Sequence, residues 1–425
     1  MEIYLVGGAV RDSLLGLPVH ERDWLVVGAT PEELLAMGYK PVGREFPVFL
    51  HPETRDEYAL ARTERKTGPG YTGFTVHADQ DVTLEDDLKR RDLTINAMAE
   101  AEDGTLIDPY GGEEDLRNGL LRHISPAFVE DPVRILRVAR FAARFGRWGF
   151  RVAHGTNRLM KQMVENGEVD HLVPERVWSE LVKALSEPDP VRFFHVLQAC
   201  SALSRLFPEI ERLYGGTESA PGRHSTRCAS DSVAETHKNI HGTVYPENHA
   251  LHVLSIASER YEDPRVRFAA LLHNLCDEGE SKLETDAAKC RTRVVEEICA
   301  RLKAPNDYRE LALLAARHCK SCHQVFHTTP EFLLDSLHSL DAYRRPDRFR
   351  RLLQVCHASH VSCHEDDDDY PQAGLLLAAL DATAAIGVGD LVSLGKAGSE
   401  ISQALRQRRI EAISKLRENP DFSNH

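Results

Sequence analysis

The chain has 425 residues, 42% of them hydrophobic and 28% charged, which suits about three globular domains and excludes a low-complexity protein. Its net charge of −14 does not exclude a nucleic-acid partner, because basic residues can be segregated into local patches. The longest apolar stretch, residues 374–394, contains Asp381 and Asp390, which argues against a membrane span. An odd number of cysteines, nine, and no secretory signal before Gly7 predict a cytoplasmic protein without a disulfide framework.

Short strand-like segments alternate with turn signals as far as residue 125, for example at residues 3–6, 24–27 and 48–50. From residue 126 onward, apolar residues recur at helical spacing. A segment rich in Gly, Ser, Thr and His at residues 215–243 interrupts this pattern and predicts a boundary. The sequence therefore predicts an α/β head followed by a long helical body.

A glycine pair, Gly7 and Gly8, joins the first predicted strand to a helix predicted over residues 10–15. Glycines let the backbone approach a phosphate, and the start of a helix offers unpaired N–H groups. The guanidinium of Arg11 can add a charged pair of hydrogen bonds. The pattern predicts a phosphate site, although an ordinary strand-to-helix turn has the same residues.

Two acidic residues, Glu21 and Asp23, precede the second predicted strand. In an extended segment they lie on the same face, about 6–7 Å apart. Carboxylates placed in this way can hold one or two Mg²⁺ ions that bind a nucleotide's phosphates. The alternative is a solvated strand entry with two surface acids.

Adjacent arginines, Arg90 and Arg91, precede Asp92 and Asn96 at the start of a helix predicted over residues 93–101. Two cations at the positive end of a helix are unfavourable unless an anion is bound there. The motif therefore predicts an anion site, with a basic surface helix as the alternative.

Arginines recur every three or four positions over residues 131–151, so one helix would carry them on a single face. They are Arg134, Arg137, Arg140, Arg144, Arg147 and Arg151. Like charges repel one another, so we expect a polyphosphate and RNA to bind this face; a solvated face is the alternative.

Five motifs occur in order along the head: LVGGAVRD at residues 5–12, ERD at 21–23, RRDLTINA at 90–97, DPYGG at 108–112 and EDPVR at 130–134. Together they resemble the family of CCA-adding enzymes and poly(A) polymerases, with a close match to the bacterial CCA-adding enzymes. The resemblance implies addition of C, C and A to the 3′ end of tRNA from CTP and ATP, with Mg²⁺ as cofactor.

The resemblance also implies an α+β fold, with a polymerase-β-type nucleotidyltransferase head and an all-helical neck, body and tail. The expected domains are the head at residues 1–125, a neck and body with base recognition at 126–225, a degenerate HD-like domain at 226–330 and a tRNA-binding tail at 331–425.

The family's site residues can be placed on matching positions of this chain. The resemblance assigns catalysis and metal binding to Glu21 and Asp23, and contacts with ATP or CTP to Gly8, Arg11, Arg91, Asp131, Arg134, Arg137 and Arg140. Within that set, Asp131 and Arg134 read the base edge. A carboxylate accepts from the amino group that C and A share, whereas G and U would leave the site's polar groups unpaired.

One position departs from the family pattern. Relatives have Asp-x-Asp where this chain has Glu21 before Asp23. The extra methylene of Glu moves the carboxylate oxygens by roughly an ångström, an error that can slow a reaction about a hundredfold unless the backbone compensates.

In the helical body, His249, His273, Asn274 and His323 follow the order of the metal ligands in HD-type phosphohydrolases. Asn274 stands where the family has Asp, and a neutral amide is a poor ligand for a catalytic cation, so we expect a structural domain without hydrolase activity. Cys319 and its neighbours could alternatively bind zinc. The cysteine pair is Cys319 and Cys322, and the further ligands would come from Cys356, His357, His360 or Cys363.

Two further segments have expected roles in the family. Residues 62–71 predict a mobile loop that switches specificity from C to A, or a plain surface hairpin. The basic residues of the tail suit phosphate contacts with tRNA. They are Lys396, Arg406, Arg408, Arg409, Lys415 and Arg417.

Three alternatives stay open from sequence alone. The chain could be a poly(A) polymerase, an enzyme that adds only CC or only A, or a catalytically weakened protein that binds or senses tRNA. The sequence does not distinguish a monomer from a homodimer.

Overall fold

The computed structural model of the protein describes residues 1–42, 48–66, 74–77, 80–213, 249–275, 284–364, 369–387, 398–419 and 422. The chain forms two compact units, Met1–Glu211 and Arg212–His425. The domain limit expected after residue 125 lies within the first of these units, and the limit expected after residue 330 lies within the second.

Within the described ranges, no helix is long and apolar enough to cross a membrane. Six described cysteines are free, and Cys290 is disulfide-bonded.

The head is built on a seven-stranded sheet with the order β3-β4-β5-β2-β1-β8-β9. Its strands are β1 (Glu2–Val6), β2 (Asp23–Val27), β3 (Lys40–Val42), β4 (Val48–Leu50), β5 (Glu57–Leu60), β8 (Ala99–Ala101) and β9 (Leu106–Ile107). The two central strands β1 and β2 run antiparallel, and Val6 pairs with Asp23. This register places the start of β2 beside the turn that follows β1.

Two small sheets complete the first unit. Strands β6 (Thr63–Lys66) and β7 (Phe74–His77) pair antiparallel, so the first part of the predicted loop is a hairpin arm. Residues 67–71 of that loop, and the predicted boundary at 215–243, lie outside the described residues. Strands β10 (Leu120–Leu121) and β11 (Arg151–Val152) pair parallel.

In the part of the first unit that the structure describes there are ten helices: α1 (Gly8–Leu14), α2 (Pro31–Ala36), α3 (Leu84–Lys89), α4 (Gly112–Arg117), α5 (Val133–Phe145), α6 (His154–Glu165), α7 (Pro174–Ser186), α8 (Val191–Ala199), α9 (Leu203–Leu206) and α10 (Pro208–Glu211). Helix α5 packs against α7 and α8, and its apolar residues form the core of this helical part.

Two predicted helices are wrong in their extent. Residues 93–101 form a 3₁₀ turn at Thr94–Asn96 and then strand β8, where Ala99 pairs with Val6 of β1. Ladder hydrogen bonds satisfy the buried backbone there, so tertiary pairing overrides local propensity. Helix α5 ends at Phe145 rather than 151, because a 3₁₀ turn at Gly146–Trp148 follows it.

Within the described ranges the second unit is helical throughout: α11 (His249–Arg260), α12 (Pro264–Leu272), α13 (Glu284–Leu302), α14 (Asn306–His323), α15 (Pro330–Ser339), α16 (Pro346–Cys363), α17 (Pro371–Ala384) and α18 (Gly398–Arg417). Helices α12, α14 and α16 pack on one another around buried apolar side chains. The expected α+β class, with a sheet-based head and a helical body, is confirmed.

Candidate active site

The glycine turn after β1 lies beneath an arginine. Gly7 has φ of +70°, and its N–H donates to the carbonyl of Met98 at 3.1 Å. A Cβ on Gly7 would lie 2.7 Å from Nη1 of Arg91. Gly8 is the first residue of α1. The turn therefore requires glycine at position 7 for its backbone and for the guanidinium above it.

Arg90 and Arg91 both pair with a buried carboxylate of the protein, and a bound anion beside them stays a prediction. Both arginines follow α3, whose C-terminal end favours cations. Asp87 is fully buried and accepts from Nη2 of Arg90 at 2.7 Å and from Nη2 of Arg91 at 3.2 Å. Burial of Asp87 opposes its ionisation, but the two guanidinium groups outweigh burial and lower its pKa. The expectation of a helix start at this motif was wrong, because the arginines end a helix instead.

The two predicted metal ligands lie beside this turn. Asp23 begins β2, Glu21 lies just before it, and both are exposed. Partial desolvation raises the pKa of Asp23; the positive charge of Arg91 opposes that shift, and the negative charge of Glu21 adds to it. Asp23 is thus close enough to both residues to interact with their charges. Arg91, Glu21 and Asp23 therefore lie near one another, and their common role at a nucleotide site stays a prediction.

This site offers two carboxylates. In the part of the chain that the structure describes, no group of three or more His, Cys, Asp or Glu side chains could hold a metal ion. Mg²⁺ commonly takes only one or two protein carboxylates and completes its shell with water and substrate phosphates. The donor set at Glu21 and Asp23 therefore suits Mg²⁺.

Arg11 points into the protein. Its Nε donates to Oδ1 of Asp12 at 2.9 Å, and its Nη1 donates to Asn96. The guanidinium also lies 5.3 Å and 5.1 Å from the ring centres of Phe141 and Phe145. Arg11 is 3% exposed, so these contacts join α1 to α5, and its role at a phosphate stays a prediction.

The arginines of α5 have partners inside the unit. Arg137 donates to Asp92 at 2.6 Å, Arg140 to Glu180 at 2.8 Å and Arg144 to Asp12 at 2.9 Å. Arg134 donates to the carbonyls of Ala127 and Arg90. These partners offset the mutual repulsion, so repulsion does not by itself require a bound polyanion. Of the expected stripe, Arg147 and Arg151 lie beyond the helix.

Asp131 is held by a residue that the sequence did not point to. Nη1 of Arg176 donates to Oδ1 of Asp131 at 3.0 Å, and Nη2 donates to Oδ2 at 2.8 Å. Oδ1 also accepts from the N–H of Val133 at 3.1 Å, at the start of α5. A carboxylate has about four acceptor positions, so Asp131 retains capacity for a further donor.

Two of the HD-like residues, His273 and His323, are hydrogen-bonded to other groups of the protein. Nδ1 of His273 is 2.7 Å from the carbonyl of Ala270, and Nε2 is 3.1 Å from Oγ of Ser359. Nδ1 of His323 is 3.0 Å from the hydroxyl of Tyr370, and Nε2 is 3.4 Å from Sγ of Cys319. The ring nitrogens of both histidines are therefore occupied by groups of the protein.

Two other residues of this site fit a structural role. The rings of His249 and His273 lie 6.0 Å apart, and burial lowers the pKa of His249 to about 4. Asn274 directly follows His273 at the end of α12. An amide in place of a carboxylate leaves this set poorly suited to a catalytic cation.

The cysteines proposed for zinc are packed between helices. Cys319 and Cys322 are buried on α14, and Cys356 is buried on α16. Among the residues described, no group of three or more His, Cys, Asp or Glu could hold a metal ion. Buried thiols of this kind pack as small apolar groups.

Several basic residues of the tail are engaged in the second unit. Arg406 pairs with Asp335, Arg409 lies 5.0 Å from the ring centre of Tyr343, and Arg417 donates to the carbonyl of Val325. Lys415 is exposed, and Lys396 lies outside the described residues. Binding of tRNA by the tail stays a prediction.

Known protein families match both the sheet-based head and part of the helices that follow it. Residues 3–122 match the family described as the Poly A polymerase head domain, and residues 149–213 match the probable RNA and SrmB-binding site of polymerase A. The chain is 51% identical to the multifunctional CCA protein of Thioalkalivibrio sulfidiphilus (strain HL-EbGR7), over 98% of this chain and 99% of that protein. It is also 51% identical to the multifunctional CCA protein of Nitrosococcus oceani, over 97% and 98% of the two chains.

Solved structures show the same fold at lower identity. The apo form II of a CCA-adding enzyme has a TM-score of 0.64 and 21% identity, covering 98% of this chain and 91% of that chain. A CCA-adding enzyme in complex with ATP has a TM-score of 0.62 and 20% identity, covering 97% and 86%.

The contacts of Asp92 generate a prediction about stability. Burial opposes ionisation of Asp92, but Arg137, Asn96 and the N–H of Leu93 outweigh burial and hold its pKa well below the usual range. A lowered folded-state pKa stabilises the fold above the unfolded pKa of about 3.9, and this contribution is lost as pH falls. We expect Asp92→Asn to lower the free energy of unfolding by about 2 kcal/mol at pH 7, and by less at pH 3.

The measurement is urea unfolding followed by tryptophan fluorescence. All three tryptophans, Trp24, Trp148 and Trp178, lie in the first unit, so the signal reports on that unit. The control is Asp81→Asn, at an exposed carboxylate, which should change little at either pH. If Asp92→Asn lowered the free energy of unfolding equally at pH 7 and pH 3, the lowered pKa of Asp92 would be contradicted.

Proposed function

The chain belongs to the family of bacterial CCA-adding enzymes, and we propose that Glu21 and Asp23 carry its catalytic metal while residues of α5 select the nucleotide. The reaction is the template-independent addition of C, C and A to the 3′ end of tRNA from CTP and ATP. The observation that carries this function is 51% identity to multifunctional CCA proteins over nearly the whole chain.

The family depends on a metal, and we propose Mg²⁺ for this chain. The two carboxylates at Glu21 and Asp23, exposed beside the glycine turn, support it as ligands. Bound Mg²⁺ would neutralise charge on the nucleotide's phosphates and favour ionisation of the attacking 3′-hydroxyl. The hydroxyl oxygen attacks the α-phosphorus, the bond to the β-phosphate oxygen breaks, and pyrophosphate leaves.

Positively charged groups near this pair would bind the triphosphate. Arg91 is fixed over Gly7 by Asp87, and this anchoring supports a preorganised phosphate contact. Arg137 and Arg140 already pair with Asp92 and Glu180. A triphosphate would share these guanidinium groups with the carboxylates or replace them, and Gly8 would let it approach the backbone.

Base selection would fall to Asp131 and Arg134, supported by Arg176. A carboxylate that is fixed in orientation can accept from the amino group of C or A and leaves U and G unmatched. The two hydrogen bonds from Arg176 restrict the Asp131 carboxylate to one plane. Arg176 is thus proposed as a positioning residue for base choice.

The number and identity of the added nucleotides test this function directly. Purified protein should add CCA to tRNA lacking all three nucleotides, complete a tRNA that ends within CCA, and stop on a complete one. Sequencing of the products checks the result. Unlimited addition of AMP would identify a poly(A) polymerase, and no incorporation at all would identify a binding protein.

Two substitutions test whether the protein is adapted to Glu21, which has one methylene more than Asp. If the backbone before β2 accommodates the longer side chain, Glu21→Asp should slow incorporation and Glu21→Gln should nearly abolish it. Initial rates titrated with Mg²⁺ measure both, since a displaced ligand first weakens metal dependence. Asp23→Ala should abolish incorporation and leave tRNA affinity within a few-fold.

The control for these variants is Glu113→Gln, at an exposed acid of the head that pairs with Arg117. It should behave as the parent does. A faster Glu21→Asp variant would point to decay toward a binding protein. Equal rates and Mg²⁺ dependence for the parent and Glu21→Gln would remove Glu21 from the mechanism.

The two hydrogen bonds from Arg176 to Asp131 predict that loss of Arg176 lowers the fidelity of nucleotide selection. Arg176→Met keeps the side-chain length but removes both hydrogen bonds, so incorporation of UTP and GTP relative to CTP and ATP should rise about tenfold. Asp131→Ala should relax selection further. The control is Arg192→Met, whose guanidinium pairs with Asp189 at 3.1 Å and has the same side-chain exposure of 27%. A slower Arg176→Met enzyme with unchanged base preference would make Arg176 purely structural.

A further inference from the structure

We propose that Trp148 stacks on an unpaired nucleobase of the RNA substrate and so forms a contact separate from the nucleotide site. This inference rests on the proposed function, which supplies the RNA. Trp148 is 55% exposed, although an indole ring is usually covered in a protein of this size.

The indole is held in place from one side. Trp148 ends the 3₁₀ turn after α5, and Gly149 follows with φ of +80°. Its ring stacks on Phe145, with centroids 5.8 Å apart and planes 27° apart. Phe145 in turn stacks on Phe141 at 6.0 Å and 3°. Phe141, Phe145 and Trp148 therefore form an aromatic column whose inner members are buried and whose outermost ring is exposed.

The positive charge of the segment that contains Trp148 favours RNA over a protein as the partner of this ring. Residues 132–164 contain seven arginines and one lysine but no Asp or Glu, in a chain with a net charge of −14. Arg137, Arg140 and Arg144 have their charges balanced by carboxylates of the protein. Arg147 donates to the carbonyl of Pro188, which leaves its charge unbalanced.

Two such charges lie close to Trp148 along the chain. Arg147 and Arg151 are both exposed, and no carboxylate in the described ranges forms an ion pair with either. An exposed aromatic ring accompanied by cations without carboxylate partners is a combination that binds single-stranded nucleic acid, because a base stacks on the ring while the cations contact phosphates.

The position of Trp148 separates it from the incoming nucleotide. Arg134, proposed to read the base, lies at the opposite end of α5, 11 residues before Phe145 and hence about 16 Å along the helix axis. The base stacked on Trp148 would therefore belong to the RNA and not to CTP or ATP. Trp148 should affect binding of tRNA without affecting binding of either nucleotide.

Steady-state kinetics with tRNA lacking CCA test this separation. Trp148→Ala should raise the KM for tRNA about tenfold and leave kcat and the KM for CTP and ATP within twofold of the parent. Trp148→Phe, which keeps an aromatic face, should lie much closer to the parent. The matched control is Leu35→Ala, another exposed apolar residue of the first unit, at 48% exposure, which should change nothing.

Tryptophan fluorescence gives a second measurement that does not depend on the alanine variant folding. Addition of tRNA should quench the parent's emission, and the quenching should be lost in Trp148→Phe. An unchanged KM for tRNA in Trp148→Ala, or unchanged quenching in Trp148→Phe, would overturn the inference. A change in oligomeric state with an unchanged KM for tRNA would identify a protein interface instead. If the parent adds CCA and the variants match it, only the inference fails; if the parent adds nothing, the proposed function fails.

Discussion

Ion pairs between guanidinium and carboxylate groups determine how helix α5 is positioned within the first unit. Arg137 bonds to Asp92 beside the 3₁₀ turn of the head, Arg144 to Asp12 of α1 and Arg140 to Glu180 of α7. Each pair ties α5 to a different segment, so the spacing of its arginines fixes how those segments meet. Partly buried ion pairs of this kind contribute little net stability but exclude other arrangements, because an unpaired buried charge is costly.

The same pairs connect to the site beside the glycine turn. Asn96 donates to Asp92 and accepts from Arg11, which also bonds to Asp12. Arg91 reaches from Asp87 to the turn itself. Arg11, Arg91 and Arg137, all proposed to bind the nucleotide, thus belong to one hydrogen-bonded network. A ligand that enters this network meets groups whose orientation is already set, which reduces the reorganisation needed for reaction.

Sequence reasoning predicted elements with strong local patterns, including β1, β2 and α5. It expected Gly7, Glu21 and Asp23 at one nucleotide site, and the pairing of Val6 with Asp23 places Asp23 beside the glycine turn. It failed where tertiary pairing decides the local structure, as in β8, which was predicted to be helical. It also missed the partners of residues for which it predicted a role at the site. Arg176 is 45 positions from Asp131, and Arg144 is 132 positions from Asp12, so no spacing rule connects either pair.

The position of Arg91 over Gly7 has a consequence for how the protein can vary. A side chain at position 7 would need both a left-handed backbone and the volume that the guanidinium occupies. Any one-base change in the first or second position of a glycine codon introduces a side chain or a stop. A shorter residue at position 91 would remove the contact with the guanidinium but not the backbone strain, so any substitution of Gly7 is strained whichever residue occupies position 91.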